Sequence, residues 1–378
     1  MSDKSYFTRD TDLKYYMNGM YNGIIRNMGS RWEAINGGND DYVTNSPAGL
    51  LMRHSVSGNA TETSDTWNNA YDYIRKTNYF LENAYRVNPM SVIGKHYLGE
   101  GYYCRAAKYF ELLQSFGGVP YIEQVLNVDS KELYRPRDTR TYVAERIIAD
   151  LDSSILYLNW KGEGEAVGGR INKEAALVLK SRVALYEGSW EHYHGRKGTP
   201  FQVSGSDGKS FLTKAVEAGE MLIGKHGANL YKGSAGAEYF DYFNQMDYDK
   251  IQGAFLYKVF SRELGIIQKW YRLYSEGFDA GLTKSAVDAY LMKDGRPAEI
   301  SSLTYSSKSM NEISSQKVPR FGQTIWYPDK GIFYTYWPLA DHAYKASYPG
   351  LIQKQQRRPA YSGYRIWKGV SFDQGEYD

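Results

Sequence analysis

The sequence predicts a mainly α-helical protein in which long helices pair in series, followed by an irregular C-terminal half of loops, short helices and short strands. Two observations predict the helices: apolar residues recur at helical spacing through the first part of the chain, and glycine or proline ends several of these stretches. After about Gly227 the chain instead has short segments rich in Gly, Tyr, Lys and Ser. We therefore expect a helical part, residues 1–227, and a second part, residues 228–378, packed on the first.

The first two helices are predicted from apolar periodicity. One runs from Asp10 to Asn27, with Gly29 placed as a C-terminal cap. A loop rich in Gly, Asn, Ser and Asp follows, from Ser30 to about Asp65. Regular apolar spacing between Thr66 and Val87 then predicts the second helix, with Trp67 on its core-facing stripe.

The next helices complete two hairpins and one further element. A helix from about Val92 to Phe116 ends at Gly117-Gly118-Val119-Pro120, because proline prevents its continuation. The remaining stripes run from Val143 to Leu158, from Ala176 to Trp190 behind Asn172 as N-cap, and from Phe211 to Leu222. Helix pairs in series are typical of the tetratricopeptide class, although these pairs are spread wider than its period of about 34 residues.

Composition excludes several classes of function. The chain has 378 residues, with 46 Lys or Arg against 43 Asp or Glu, and a net charge of +3 does not suggest a nucleic-acid partner. No apolar run approaches the ~20 residues of a membrane-spanning helix. A single cysteine, Cys104, excludes an internal disulfide and a cysteine-based zinc site. The N-terminal residues do not resemble a signal peptide, so either the protein is cytoplasmic or its export signal is missing from this chain.

Catalytic and metal-binding motifs are incomplete. The segment Gly205 to Ser210 approaches a phosphate-binding loop but has Val203 where the first glycine is required. His192 and His194 diverge on a helix, so we expect no metal there. Asp40 and Asp41 are adjacent carboxylates, but sequence does not give the separation that a glycosidase needs. We expect no enzyme activity, no catalytic residue and no cofactor.

The aromatic content favours a sugar ligand. There are 36 Tyr, 14 Phe and 8 Trp, and exposed rings stack on the apolar faces of pyranoses while polar side chains bind the hydroxyl groups. The first loop combines both kinds of residue, and loops often carry binding residues. Its candidate ligand-binding residues are Trp32, Asn36, Asp40, Asp41 and Tyr42. The alternative is a solvated loop in which Asn and Asp make turns and Trp32 anchors it to the core.

Several stretches resemble the SusD/RagB family of nutrient-binding outer-membrane lipoproteins. These are Trp67 to Leu81, Gly101 to Pro120 (GYYCRAAKYFELLQSFGGVP), Ala144 to Leu158, Gly169 to Tyr186, and Leu282 to Pro297 (LTKSAVDAYLMKDGRP). The resemblance implies Trp270 and Tyr274, just before the last stretch, as glycan-stacking residues. They are four apart, so one buried helical face is the alternative. Two other aromatic clusters, Trp326-Tyr327 and the segment Gly331 to Trp337, stand later in the chain, the second with strand-like alternation.

The resemblance implies a non-catalytic, cell-surface binder of oligo- or polysaccharide. Its implied partner is a SusC-like TonB-dependent transporter, and its implied location is the outer membrane, held by a lipid anchor that this chain lacks. The family also continues beyond the point where this chain stops, so we expect a shortened C-terminus. A peptide-binding RagB-like relative, a cytoplasmic tetratricopeptide scaffold and a glycoside hydrolase remain as alternatives.

Overall fold

A computed structural model gives the arrangement of most of the chain. It describes residues 6–25, 41–43, 64–227, 236–245, 247–259, 261, 263, 281–304, 309–330, 364 and 366–368. Contacts group these residues into two compact units. The first lies within Met1–Arg26, Thr61–Leu230 and Gln252–Val259, and the second lies within Asn27–Ala60, Tyr231–Ile251 and Phe260–Asp378.

The first unit is a series of helices, each packed on its neighbours in the chain. They are α1 (Asp10–Ile24), α2 (Asp65–Ala84), α3 (Val92–Phe116), α4 (Arg140–Tyr157), α5 (Lys173–Lys197) and α6 (Lys209–His226). Helix α3 packs against α1, α2 and α4, and α5 packs against α4 and α6. The mainly helical class and the hairpin arrangement predicted from sequence are therefore confirmed.

Local capping explains where these helices begin and end. The side chains of Ser64, Ser91, Thr139 and Asn172 each accept a hydrogen bond from a backbone N–H in the first turn of the helix that follows. The predicted Asn172 cap is confirmed, with Oδ1 2.9 Å from the nitrogen of Ala175. Helix α3 ends at Phe116 and is capped by Gly117, whose φ of 71° is accessible to glycine at no steric cost.

Small residues on α3 allow its neighbours to approach closely. A methyl group at Gly101 would lie 2.7 Å from the ring of Phe80 in α2. A methyl group at Gly99 would lie 3.1 Å from the backbone nitrogen of Leu158, just past the end of α4. The apolar side chains around α3, including the fully buried Tyr97, form the core of this unit.

Two sequence expectations for this unit need correction. Helix α1 ends at Ile24 rather than Asn27, because Ile25 takes an extended backbone conformation, and the expected cap Gly29 lies outside the described residues. Trp67 and Trp190, expected in the core, are only partly buried. The ring of Trp67 packs edge-on against a neighbouring phenylalanine, and the Arg140 guanidinium covers Trp190 with its carbon 4.1 Å from the ring centroid.

The second unit consists of short elements around a small apolar core. Its elements are β1 (Tyr42–Val43), α7 (Glu238–Tyr242), β2 (Gly281–Leu282), α8 (Lys284–Asp288), α9 (Met310–Gln316) and α10 (Pro319–Thr324). Phe321 and Ile325 are fully buried at its centre. The described part of the irregular half thus has the predicted character, and the predicted strand from Gly331 to Trp337 lies outside the described residues.

In the described part of the chain, no helix combines the length and apolarity that crossing a bilayer requires. The boundary between the two parts near residue 227 stays a prediction.

Candidate functional site

A small antiparallel sheet of two two-residue strands joins the middle of the first loop to residues that follow the second candidate segment in sequence. Tyr42 of β1 pairs with Leu282 of β2, and Val43 pairs with Gly281. The backbone N–H of Thr283 extends this contact by donating to the carbonyl oxygen of Asp41 at 2.8 Å. The sheet therefore fixes the chain directly after the first-loop candidates to a strand that begins seven residues after Tyr274 in sequence.

The second strand is itself firmly anchored. The Leu282 side chain lies in the apolar core of the unit, and its backbone N–H donates to the carbonyl oxygen of Tyr364 at 2.9 Å. Thr283 caps helix α8, since its hydroxyl oxygen accepts a hydrogen bond from the nitrogen of Ala286 at 3.2 Å. A backbone bridge between Ile325 and Ile366 brings the chain beyond α10 into the same cluster. This support gives the sheet a rigid base.

A buried lysine holds the chain just after α8. The Nζ of Lys317 donates to the carbonyl oxygens of Asp288 at 3.1 Å and Tyr290 at 2.6 Å. Burial lowers the pKa of Lys317, because removal from water disfavours the charged ammonium group. Burial likewise raises the pKa of the Tyr290 hydroxyl. Lys317 therefore supports the backbone at the end of α8, and the ring of Tyr290 packs edge-on against Phe321.

The structure describes only part of the predicted site. Asp41 is exposed at the edge of the sheet, and the backbone of Tyr42 forms β1. The other five candidates lie outside the described residues: Trp32, Asn36, Asp40, Trp270 and Tyr274. Their assignment to the ligand stays a prediction.

The later aromatic cluster is part of the interior. Trp326 is 2% exposed and forms a small cluster with Trp367 and Phe240. The rings of Phe240 and Trp367 are stacked with centroids 5.5 Å apart. Gln323 fixes the position of Phe240, because its side-chain oxygen accepts hydrogen bonds from the first N–H groups of α7, including that of Tyr239 at 2.7 Å. Trp326 is therefore a core residue and not a stacking surface.

Histidines and carboxylates in the described ranges do not gather into a group of three or more that could hold a metal ion. His192 and His194 both lie on α5 and have separate partners. The Nδ1 of His192 is 3.2 Å from the carbonyl oxygen of Asp207, whereas the ring of His194 packs against Trp190 with centroids 4.2 Å apart.

Sequence reasoning did not identify Leu282 and Thr283 as the residues that fasten the first loop. A strand of two residues is too short to produce detectable alternation. The available signal was their position at the start of the stretch LTKSAVDAYLMKDGRP, which the resemblance had marked.

Comparison with known proteins finds a similarity to SusD-like proteins. Residues 3–185 match a SusD-like family profile described as starch-binding and associating with the outer membrane. A SusD-like protein of Formosa agariphila, P38, is 22% identical over 198 residues, and another from the same organism, P2, is 26% identical over 199 residues. The chain is therefore similar to SusD-like proteins over residues 3–185.

Solved structures of SusD-like proteins have a fold similar to that of this chain. A SusD-like protein from Bacteroides fragilis superposes with a TM-score of 0.72 at 22% identity, covering 98% of this chain and 70% of that one. A SusD-like carbohydrate-binding protein from the same species gives a TM-score of 0.70 at 16% identity, covering 98% and 69%. At these identities the likeness establishes the fold alone.

The curated relatives are matched over only part of their length. The alignments cover 50% of this chain in each case, but 38% of P38 and 39% of P2. The resemblance predicted from the sequence motifs is confirmed.

Proposed function

We propose that this protein binds an oligo- or polysaccharide at the cell surface without cleaving it. One observation carries the proposal: Tyr42, the last candidate residue of the first loop, pairs in an anchored sheet with Leu282, which follows Tyr274 by eight residues in sequence. The description of the family as starch-binding supports a glycan as the ligand. So does the similarity in fold to a carbohydrate-binding protein of Bacteroides fragilis.

The residue types in the two segments suit a sugar. Trp32, Trp270 and Tyr274 are proposed to stack on pyranose rings, at roughly 0.5 to 1.5 kcal/mol for each ring by analogy with aromatic pairs. The proposed polar ligands are Asn36, Asp40, Asp41 and Tyr42, which together offer donors and acceptors for hydroxyl groups. An ordered β1–β2 sheet reduces the conformational entropy that the protein loses when it binds a glycan. The affinity should therefore depend on how firmly β1 and β2 are paired.

The proposal includes delivery of the ligand to a transporter. The family description places such proteins in association with the outer membrane. We propose a SusC-like TonB-dependent transporter as the partner and a lipid anchor as the attachment. Co-purification of the protein with its transporter from outer membranes, lost when the lipid anchor is removed from the full-length protein, would support this part.

Affinity electrophoresis on a panel of soluble polysaccharides tests the glycan proposal. The protein should be retarded by at least one polysaccharide and release no reducing ends from it. Trp270→Ala should abolish the retardation and leave the melting temperature unchanged. Tyr134→Ala is the matched control, because Tyr134 is 85% exposed in the helical unit and belongs to neither segment.

Other results would overturn the proposal in distinguishable ways. Released reducing ends would identify a glycoside hydrolase. Binding of peptides or folded proteins, with no polysaccharide retarding the protein, would identify a RagB-like or tetratricopeptide-type binder. A large fall in melting temperature for Trp270→Ala would place that ring in the core and remove it from the site.

A further inference from the structure

A hollow lies on the first unit, at the connection between α5 and α6. Its volume is about 440 Å³, within the range of roughly 300 to 1,000 Å³ typical of small-molecule sites, and it is open to solvent on one side. Its lining consists of the last turns of α5 and the loop that leads to α6. The lining residues are His192, Gly195, Arg196, Gln202, Val203, Ser204, Gly205, Ser206 and Asp207.

The wall formed by the loop is held in place by hydrogen bonds to α5. The hydroxyl of Ser206 donates to the carboxylate of Glu191, a residue that is only 1% exposed. His192 Nδ1 lies 3.2 Å from the carbonyl oxygen of Asp207, and the backbone of the loop meets α5 at Gly188 and Gly208. The hollow is therefore preformed, which lowers the entropy cost of filling it.

Several polar groups in the hollow have no partner in the protein. Within the described ranges, the side chains of Arg196, Gln202 and Ser204 make no hydrogen bond or ion pair. The one acidic lining residue, Asp207, is already paired with Lys209, whose Nζ is 2.8 Å from its carboxylate. The same lining thus includes an arginine, a glutamine and a serine whose side chains have no partner in the described part of the protein.

We propose that this hollow binds the carboxylate of an acidic sugar residue, a uronate. A guanidinium recognises a carboxylate through two parallel N–H···O bonds, and an amide and a hydroxyl can bind the adjacent sugar hydroxyls. The nine lining residues, all of them described, include no Trp, Tyr or Phe. A neutral pyranose would lack a stacking face there, so charge must provide the selectivity. The site is separate in sequence from the segments proposed for glycan binding and does not depend on them.

Isothermal titration calorimetry of the whole protein with trigalacturonate tests the proposal. Wild-type protein should bind it with one-to-one saturation, and Arg196→Gln should weaken binding by about tenfold or more. Lys197→Gln is the matched control, because Lys197 is the next residue, is also exposed and lies outside the lining. That control should change the affinity by less than about twofold. Gln202→Ala should weaken binding without changing the charge.

Four results would overturn the proposal. The first is that trigalacturonate shows no saturable binding. The second is that the Arg196 and Lys197 variants lose equal affinity for it, which would mean that any positive charge on this surface attracts the ligand. The third is that the protein binds maltotriose, a neutral sugar, and that Arg196→Gln weakens this binding as much as it weakens trigalacturonate binding. That result would show that the ligand does not need a carboxylate. The fourth is that acetate binds as tightly as trigalacturonate, which would show that the sugar does not contribute to recognition.

The two proposals fail separately. Arg196→Gln should leave retardation by neutral polysaccharide unchanged, and Trp270→Ala should leave trigalacturonate binding unchanged. Loss of both activities in either variant would contradict the existence of two independent sites.

Discussion

Arg105 of α3 and Asp150 of α4 form a buried bidentate ion pair, with Nε 2.8 Å and Nη2 2.6 Å from the two carboxylate oxygens. The residues are only 5% and 3% exposed. Tyr121 donates a further hydrogen bond to the carboxylate, and the oxygen of Asn78 accepts one from the guanidinium at 3.1 Å. The network joins α2, α3, α4 and the chain after α3. It also explains why a charged residue stands in the helix of the GYYCRAAKYF stretch.

Removing the charge of Asp150 should destabilise the protein strongly. Asp150→Asn leaves the buried guanidinium with only the more exposed carboxylate of Glu123, 3.8 Å away, as counter-charge. We expect the free energy of unfolding to fall by about 3 to 5 kcal/mol. Urea denaturation followed by circular dichroism measures it. The control is Asp152→Asn, because Asp152 pairs with Lys180 at 2.7 Å but is 55% exposed, and its loss should cost less than about 1 kcal/mol. Similar losses in the two variants would contradict the importance of the buried pair.

Gly208→Ala should separate α5 from α6. Gly208 has φ of 76°, and a methyl group there would lie 2.1 Å from the carbonyl oxygen of Gly188. The left-handed backbone alone costs about 1 to 2 kcal/mol, and the collision with a rigid backbone adds to it. Gly198→Ala shares the positive φ, 61°, but has nothing within 4 Å, so only the first cost applies. Thermal denaturation should show the larger loss for Gly208→Ala, and equal losses would mean that the helices are not in close contact here.

Glu187 should make the stability of the first unit depend on pH. Burial raises the pKa of its carboxyl from 4.5 to about 7, Arg140 opposes the shift, and Glu191 adds to it. The folded protein thus holds this proton more tightly than the unfolded chain does. The resulting stabilisation is complete below about pH 4.5 and is lost as pH rises to 7 and above, by roughly 3 kcal/mol in all.

Glu187→Gln should flatten this part of the pH profile, because an amide does not titrate. Relative to wild type, the variant should gain stability between pH 5 and pH 8, as measured by urea denaturation at each pH. Glu145→Gln, at an exposed position of α4, should run parallel to wild type throughout. A Glu187→Gln profile with the wild-type slope would show that another group causes the dependence.

Local signals were sufficient to predict the helices of the first unit. The stripe that contains Ile147 and Leu151 is read directly from apolar spacing, and Asn172 and Gly117 act within a few residues of their own helices. The end of α1 was not predicted because Ile25, which stops it, is not a residue type that normally ends a helix.

Long-range contacts could not be predicted in the same way. The pairing of Tyr42 with Leu282 depends on tertiary packing between residues far apart in the chain, and each strand is only two residues long. The hollow beside Arg196 has the same origin, since it exists only because the loop before α6 folds back onto α5. The sequence analysis noted both sides of that hollow, the histidines of α5 and the segment Gly205 to Ser210. It did not indicate that these two segments lie next to each other in the fold.

Removing one N–H group should weaken the contact between the first loop and β2. Thr283→Pro removes the donor that binds the carbonyl oxygen of Asp41 at 2.8 Å, and it does so with little strain because Thr283 has φ of −72°, a value that proline adopts. Hydrogen exchange measured by mass spectrometry should become faster in a peptide containing Asp41, Tyr42 and Val43. Exchange in α2 to α6 should not change, and retardation by polysaccharide should weaken with the contact.

Thr283→Ala provides the matched control for this prediction. It removes the hydroxyl oxygen that caps α8 at the nitrogen of Ala286, at a cost of about 1 kcal/mol, but keeps the backbone N–H. Exchange around Tyr42 should therefore stay close to wild type in this variant. If the two variants accelerate exchange equally, the cap rather than the sheet holds the loop. If neither does, the loop is held by contacts other than Thr283.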